Sequence, residues 1–524
     1  MILCRLCQSL SVVIFLLLLP WLALAGEDIY FLDRDGDGYG VGDVFVKGPD
    51  ADDLDPQVNT SQSVLKKYGT LRAFLAVKGY SPDRLLFVAP NGHDKTARIN
   101  AVESPFATWE KVKTLLQPGD AVIFKAGIYH QQIELKNILG AIHKPILLLA
   151  YPGEQVVFDN CGAGSNAACF SFKGAQSIVV DGFMFDNGAN GGDGNAIYLN
   201  GTNRYDWSYV YDITIRNVLA RNLKSGFRGM VNVNKVLIEN CVVHDTLSHG
   251  VYYGSSDNKQ LNNDIRIQDS LFYLTAKKYD GRFCIQHNGR VDGLFIERNV
   301  CHSNMTGGGI SLANGTRNAS IKNNLIFNNA KQGIVLSGYA SKSGAGGDFV
   351  NNEIINNTIW VGRYDQSGQE KPLHHAGILL NDSTGSMKML YTNIRNNVVV
   401  TQAGSAVAFQ QPEALDVSIM KNNIFYGPGS GSAIAVGEEK FSLTEIERLN
   451  SLMAANRYVD PEFNHISVHA YRQPEQFDFQ LRPNSPAIDF CPRLAEFAVT
   501  EDLTGQPRSA KRLDAGCFEV HQKP

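Results

Sequence analysis

The chain of 524 residues lacks a surplus of positive charge: 48 Lys and Arg stand against 52 Asp and Glu, a formal net charge of −4. Nucleic-acid binders usually carry a basic surplus, so that class is set aside. Beyond Ala25 no stretch is long and apolar enough to span a bilayer. The same part of the chain has no CxxC pair of the kind that holds zinc. Charged residues make up only 19% and hydrophobic ones 44%, so the chain can bury a sizeable core and is not disordered.

What is present begins with "MILCRLCQSLSVVIFLLLLPWLALAGEDIY". One basic residue precedes an apolar run that Ala23-Leu24-Ala25 closes with a small-x-small site, the form of a secretory signal peptide over 1–25. An uncleaved N-terminal anchor is the alternative. Cys4 and Cys7 precede the apolar run, so neither sits where a lipoprotein cysteine would. The reading predicts a secreted or periplasmic protein in an oxidising setting. Cys161 and Cys169 bracket a flexible loop and form one candidate disulfide; Cys491 and Cys517 form another. Cys241, Cys284 and Cys301 read as small buried apolar side chains.

The middle of the chain repeats. "ITIRNVLARN", "VLIENCVVHD", "IRIQDSLFYL", "LFIERNVCHS", "SIKNNLIFNN", "IINNTIWVG", "NIRNNVVVTQ" and "MKNNIFYGP" each read strand, polar step, strand. A third strand that begins with a small residue follows most of them, as in "HGVYYG", "FCIQHNG" and "GGISLANG". One register position falls at Val218, Cys241, Ser270, Asn299, Asn324, Asn357, Asn397 and Asn423. Three short strands per turn, stacked many times, make a parallel β-helix, because no coil can bury its apolar residues alone. About ten coils rising about 4.8 Å each would give a rod near 50 Å long. The asparagines suit the tight bend, where Asn tolerates left-handed backbone and its amide can bond the next Asn in the stack. They build scaffold rather than active site.

The ends fit this. In "SPFATWEKVKTLLQPGD", Ser104 can cap a helix, Pro105 suits its first turn, and Phe106, Trp109 and Val112 share a face that would cover the open end of the rod. "SLTE" at 442–445 is a capping box, with Ile446, Leu449 and Met453 as the apolar stripe behind it.

The "VAPNG", "PFATW", "PGD" and "AGIY" elements, spread through 86–135, resemble the N-terminal signature of secreted right-handed parallel β-helix proteins of the pectate-lyase superfamily. "DPEF…DFQLRPNSPAIDF…EDLTGQPRSAKRLDAGCFEV" is similar to the closing segment of many such proteins. The resemblance spans about 85–520 and implies the fold: an all-β, single-stranded, right-handed parallel β-helix with short capping helices. It divides the chain into a β-helix with cap helix over 85–440 and a C-terminal helix and capping segment over 441–524. For activity it implies only a range, since that superfamily holds lyases, hydrolases, epimerases and non-catalytic surface proteins.

The segment "YFLDRDGDGYGVGD…GPDADDLDPQVN" within 26–58 is similar to thrombospondin type 3 calcium repeats. Asp33, Asp35 and Asp37 alternate and Gly38 permits the sharp turn, as in the first half of an EF-hand-like loop. Val44 stands at loop position twelve, where an EF-hand has Glu; Asp50, Asp52, Asp53 and Asp55 would supply the missing oxygens for Ca²⁺. An acidic solvated linker is the alternative. Residues 59–84 read as a short helical connector.

β-Helix enzymes of the superfamily work on polysaccharides laid along one face of the rod. A lyase on uronic acids needs a cation for the substrate carboxylate, a base for the C5 proton and a donor for the leaving oxygen. Alternation along the third strands turns Ile197 and Val251 inward and Tyr198, Tyr252 and Gln286 outward, a strip suited to sugar rings or merely to covering the sheet. The densest ionisable group lies at 224–292: Lys224, Arg228, His244, Asp245, His249, Lys277, Lys278, Asp280, Arg282 and His287. His249, Lys277, Lys278, Asp280 and Arg282 are the candidate catalytic residues, the base being His249, Lys277 or Lys278. Tyr198, Arg228, Tyr252, Gln286 and His287 are the candidate substrate-binding ones. His244 and His302 share a register position and read as a stack. The departures count: no "DPHD" or "DPHE" epimerase motif, no polygalacturonase series and no aspartate cluster within the coils. The expectation is therefore a monomeric, exported lyase-type protein on an acidic glycan. A non-catalytic glycan binder is the first rival; a glycoside hydrolase or epimerase is the second.

Overall fold

The computed structural model describes residues 33–521 apart from 36, 42–46, 189–192, 202–208, 255–261, 339–346, 370, 372–374, 383–387, 428–432, 467–472 and 494–498. The leader at 1–25 and Val44 lie outside the described residues.

Three long parallel sheets wind into a right-handed β-helix. Sheet I begins at Arg84–Val88, sheet II at Gly127–Tyr129 and sheet III at Ile133–Lys136, and the chain visits them in that order, coil after coil. Sheets II and III hold 12 described strands each, which gives a rod on the order of 55 Å. The coils hold register because like stacks on like. Val180, Ile215, Ile238, Ile267, Ile296, Ile321, Ile354, Ile394 and Met420 form one unbroken inward row of sheet I, all essentially buried. β-Branched side chains suit that role, since their restricted rotamers repeat from strand to strand.

The turn from sheet I to sheet II splits between two residues. The first takes the left-handed conformation, at Asn217, Asn240, Asp269, Arg298, Asn323, Asn356, Asn396 and Asn422, with φ between 49° and 58°. The second points inward and carries the ladder. Asn357 Oδ1 accepts from the Asn324 backbone N–H (3.0 Å) and amide (2.9 Å), and the Asn357 amide in turn donates to Asn397 Oδ1 (3.0 Å) and Ile321 O (2.9 Å). The same pattern joins Asn299 to Asn324, Asn397 to Asn423 and Asn423 to Asn456. Left-handed geometry and amide stacking, expected of one register position, therefore belong to neighbouring asparagines.

The small residue before each third strand has a steric cause. A Cβ on Gly309 would lie 2.4 Å from Ile326 Cγ2, and one on Gly377 would lie 2.2 Å from Val399 Cγ1, where the chain crosses the core residue of sheet II.

A helix at Trp109–Lys113 closes the first end, with Phe106, Trp109 and Val112 buried. Its cap is Thr108, not Ser104, because Phe106 bridges to Val88 and keeps the preceding residues extended. At the other end, Ser442 and Glu445 form the expected capping box on the helix Leu443–Leu449; Ile446 and Met453 are buried but Leu449 is exposed.

The outer faces of sheets I and II are covered by the ends of the chain. Helices Ser61–Tyr68 and Leu71–Val77 lay Val64, Leu71, Phe74 and Leu75 on Leu85, Phe87, Ile123 and Leu149 of sheet I. Tyr80 Oη donates to Asp181 (2.8 Å), which also pairs with Arg216 (3.0 Å). The C-terminal segment does not simply close the end: it returns along sheet II, packing Phe477, Phe479, Leu503 and Phe518 against Leu219, Val242, Leu271, Val300 and Leu325. Buried Arg508 anchors it, pairing with Glu519 (2.9 Å) and donating to Asn323 Oδ1 (2.7 Å).

Cys161 and Cys169 are disulfide-bonded. Cys491 and Cys517 are separate buried thiols rather than a second bridge, one donating to Asn422 O and the other packed with its backbone N–H on Thr358. Cys241, Cys284 and Cys301 are buried thiols, as expected.

Asn357→Ala should cost on the order of 3 kcal/mol or more, because it strands the Asn324 donors in the core. Asn351→Gly, at an exposed left-handed position (φ 56°), should change stability by less than about 1 kcal/mol. Urea midpoints of the two variants check the contrast.

Candidate functional site

Sheet III carries candidate residues on its outer side, although Tyr198, Gln286, Ser311, Val335 and Leu379 of that side are buried. Its outward row runs Tyr198, Arg228, Tyr252, Gln286, Ser311, Val335, Leu379 and Ala408, one residue per coil. The turns from sheet II deliver Lys224, Ser248, His249, Lys278 and Arg282 to the edge of the same coils. Residues from three separate turns are thus brought onto neighbouring coils because the register aligns them.

At the centre, His249 is buried and both ring nitrogens are engaged: Nε2 lies 2.7 Å from Gln286 Oε1 and Nδ1 lies 2.9 Å from Ser248 Oγ. An amide oxygen only accepts, so Nε2 carries the proton and Nδ1 accepts from the serine hydroxyl. Burial pushes the imidazole down to about 3; Gln286 opposes this, and the nearby Arg282 and Arg228 charges add to it. The ring lies 4.7 Å from Tyr252, and the Arg228 guanidinium sits over that tyrosine at 5.2 Å. Among the described residues Arg228 Nε is buried without a partner, and its Nη2 lies 3.8 Å from Met230 Sδ. Lys224 and Lys278 lie against Tyr279 at 5.4 and 5.6 Å, and Lys224 also reaches Ser165 Oγ at 2.9 Å. Among the described residues, none of Lys224, Arg228, Lys278 and Arg282 pairs with a carboxylate within ion-pair distance. The arrangement offers positive charge to an anion beside an aromatic ring.

The other candidates part company. Lys277 is held by Asp245 (2.6 Å), which also binds His244 (2.7 Å); burial opposes it, but these two partners bring the Asp245 carboxyl down to about 2. Asp280 pairs with Lys331 across two coils (2.9 Å). Tyr198 occupies its expected outward position but is only 7% exposed. His287 is a correction: it faces the core, in the row of Tyr253 and Leu312, because the residue after outward Gln286 must point inward. Its ring stacks on Tyr253 (interplanar angle 6°), and burial pushes it down to about 3. His244 and His302 do stack, in a column His244–Tyr273–His302–Phe327 with centroid spacings of 4.7, 5.3 and 4.8 Å.

Two residues escaped the sequence reading. Ser248 occupies the second ring nitrogen of His249, whose tautomer Gln286 sets. Lys371 is buried and donates to Asn329 O (2.7 Å), and burial brings its amine down to about 7. It lies in the loop before a third strand, the position that singled out Lys277 and Lys278, and that rule would have found it.

The aspartates sort into two groups. Oxygens of Asp33, Asp35 and Asp37 lie within 4.8 Å of one another. Among the described residues Asp35 Oδ2 and Asp50 Oδ2 are buried without partners. Burial, with Asp37, Asp35 and Asp53 adding, pushes Asp50 up to about 7; burial does the same to Asp53 despite Arg34. Asp52, Asp53 and Asp55 instead pair with Lys78, Arg34 and Lys67. The orphaned oxygens fit a hard divalent cation.

Several solved structures are similar at low identity. Pectate lyase Pel9A is 15% identical (TM-score 0.45; 85% of this chain, 98% of that one). A rhamnogalacturonan lyase is also 15% identical (TM-score 0.40; 76% and 97%). The periplasmic alginate epimerase AlgG is 13% identical (TM-score 0.39; 60% and 75%). No protein-family model matches the chain. In sequence it is 24% identical over 446 residues to the uncharacterized protein YwoF of Bacillus subtilis (strain 168), covering 77% of this chain and 92% of that protein. No described helix is long and apolar enough to cross a membrane.

His249, His287 and His302 are all held near 3, against about 6.5 in an unfolded chain. Between those values the unfolded state binds more protons, so the stability is present above about pH 6.5 and is lost as pH falls toward 3. The slope should reach on the order of 4 kcal/mol per pH unit for the three together. His302→Phe, which keeps the stack, should flatten the acid limb by about a third; denaturation between about pH 7 and pH 4 checks this.

Proposed function

We propose that the protein acts on an acidic polysaccharide laid along the outer face of sheet III, by elimination at a uronate. The observation that carries the reading is a set of four cations without carboxylate partners within ion-pair distance among the described residues: Lys224 and Lys278 against Tyr279, Arg228 over Tyr252, and Arg282 close enough to act on His249. Self-contained ion pairs would make this face an ordinary surface; unpaired guanidinium and ammonium groups ask for an anion from outside. In this reading Arg228 and Arg282 hold the substrate carboxylate and Lys278, once its ammonium has released a proton to solvent, takes the C5 proton as a neutral amine, since Lys277 is tied to Asp245 and His249 has no free lone pair. His249 then positions Gln286 and Ser248. The glycosidic oxygen would leave with a proton from Tyr252.

A second reading, binding without turnover, is favoured by one observation: His249, the buried imidazole at the centre, is locked on both nitrogens. We also place Ca²⁺ on Asp33, Asp35, Asp37 and Asp50, as a structural ion that holds the N-terminal segment together. The protein is read as exported, in keeping with the Cys161–Cys169 disulfide.

Elimination creates a conjugated unsaturated uronate, so absorbance near the ultraviolet edge should rise when protein meets one of a panel of acidic polysaccharides. Lys278→Ala should then lower turnover by at least about 100-fold with unfolding unchanged. A flat trace with retained binding would replace the elimination reading by the binding one. For calcium, protons compete at Asp50, near 7. Without the ion, the segment should lose stability as pH rises from about 4 to about 7, where the unfolded carboxyls have already lost their protons. Calcium affinity should be at least about tenfold weaker at pH 5.5 than at pH 7.5, with proton release on binding by calorimetry. Affinity that ignored pH would remove this assignment.

A further inference from the structure

We infer that Asn304, Thr306 and Gly307 are positioning residues for the loop at 274–283, which bears Lys278 and Arg282; this rests on the acidic-glycan reading of sheet III. The backbone of that loop is strained. Leu274 and Ala276 both take the left-handed conformation, with φ of 47° and 59°. In the adjoining coils the residues that follow the same strand are Asp245 and Ser303, also left-handed at 53° each. Their short polar side chains can hydrogen-bond to nearby backbone and so suit that geometry. Leucine and alanine carry no such group. A backbone held in this way persists only where its surroundings fix it.

The fixing comes from both neighbouring coils. On the coil before, Leu247 O accepts from the Lys278 and Tyr279 backbone N–H groups, both at 3.1 Å. On the coil after, the Thr306 hydroxyl reaches Tyr279 O (2.8 Å) and Ala276 O (3.1 Å). Asn304 is fully buried and spends both amide protons on the loop, donating to Arg282 O and Thr275 Oγ1 at 2.9 Å each. Its Oδ1 accepts from the Thr306 and Gly307 backbone N–H groups (3.1 and 2.6 Å). Gly307 thereby lies against Arg282: a Cβ there would stand 1.7 Å from Arg282 O, so any side chain would push that arginine away. Asn304 is anchored in turn. Its N–H donates to Asn329 Oδ1 (3.0 Å), and the buried Lys371 amine holds Asn329 O (2.7 Å). Among the described residues neither Lys278 nor Arg282 has a carboxylate within ion-pair distance, so their placement falls to this backbone. A shift of about 1 Å is enough to spoil a charged contact with a ligand.

Calorimetry of the purified protein with tri-galacturonate, tri-mannuronate and tri-glucuronate tests this, using whichever binds best as the probe. Thr306→Val keeps the side-chain shape and loses the hydroxyl; Gly307→Ala adds the offending Cβ. Each should weaken the probe by at least about fivefold, with thermal unfolding confirming that the variants fold. Thr306→Ser, which restores the hydroxyl, should bind as the unaltered protein does. Because Gly307 acts through Arg282, adding Gly307→Ala to Arg282→Gln should weaken binding by less than about a further twofold. A merely structural role would lower the unfolding temperature and leave the affinity of the folded variants alone. Unchanged affinity in Thr306→Val and Gly307→Ala would overturn the positioning and leave the acidic-glycan reading standing. Losses that simply add in the double variant would overturn the route through Arg282. Binding of none of the three probes by the unaltered protein would overturn both the reading and the inference.

Discussion

Everything in this molecule hangs on register between coils. A parallel solenoid has no hairpins to set it: each strand must find its neighbour through a full turn of chain, and a slip by one residue would turn every side chain to the wrong face. The asparagine ladder resists such a slip. Each amide accepts from two donors of one neighbouring coil and donates to the next, so a shifted coil would bury several unpaired groups at once. The ladder serves the coils from Asn299 onward. Earlier coils carry Val218 and Cys241 at that position and rely on a cluster of Phe124, Phe158, Phe170, Phe183 and Phe185 instead. Two chemistries thus hold one geometry, polar stacking in one half and aromatic packing in the other.

From that register follows the allocation of surfaces. The N-terminal helices take the outer face of sheet I and the C-terminal segment that of sheet II. Sheet III is left with a row of side chains fixed at strand spacing by the backbones beneath. Arg228, Tyr252 and Gln286 are far apart in the chain, yet their order along the rod is set as firmly as that of neighbours in a strand. Precision on that outer row is inherited from the core beneath it.

The fold was legible because its signals are local and repeated: asparagine pairs, β-branched runs and small residues before the third strands. Legibility failed where an outcome depends on distant chain. Thr108 caps the first helix in place of Ser104 because Phe106 is drawn into a bridge with Val88. The path of residues 463–518 along sheet II was hidden, since nothing in their own sequence names that sheet. At the site, alternation alone placed Tyr252 and Gln286 outward, and the same rule applied one residue further would have turned His287 inward. That Lys277 is spent on Asp245 while Lys278 is not depends on the twist of a single loop, which no spacing rule describes. Lys371 owes its character to a carbonyl at Asn329, supplied by a different coil.

The returning C-terminal segment bears on how such a chain is made. Synthesis delivers the coils first and the strap last, so during that interval Val242, Leu271, Val300 and Leu325 of sheet II stand uncovered. The half-made rod is a sticky object whose solubility is settled only when Phe477, Phe479 and Phe518 arrive. Arg508 then ties the newest part of the chain to Asn323, made long before. The strap acts as a seal: a chain broken off before Phe477 keeps an oily flank along sheet II.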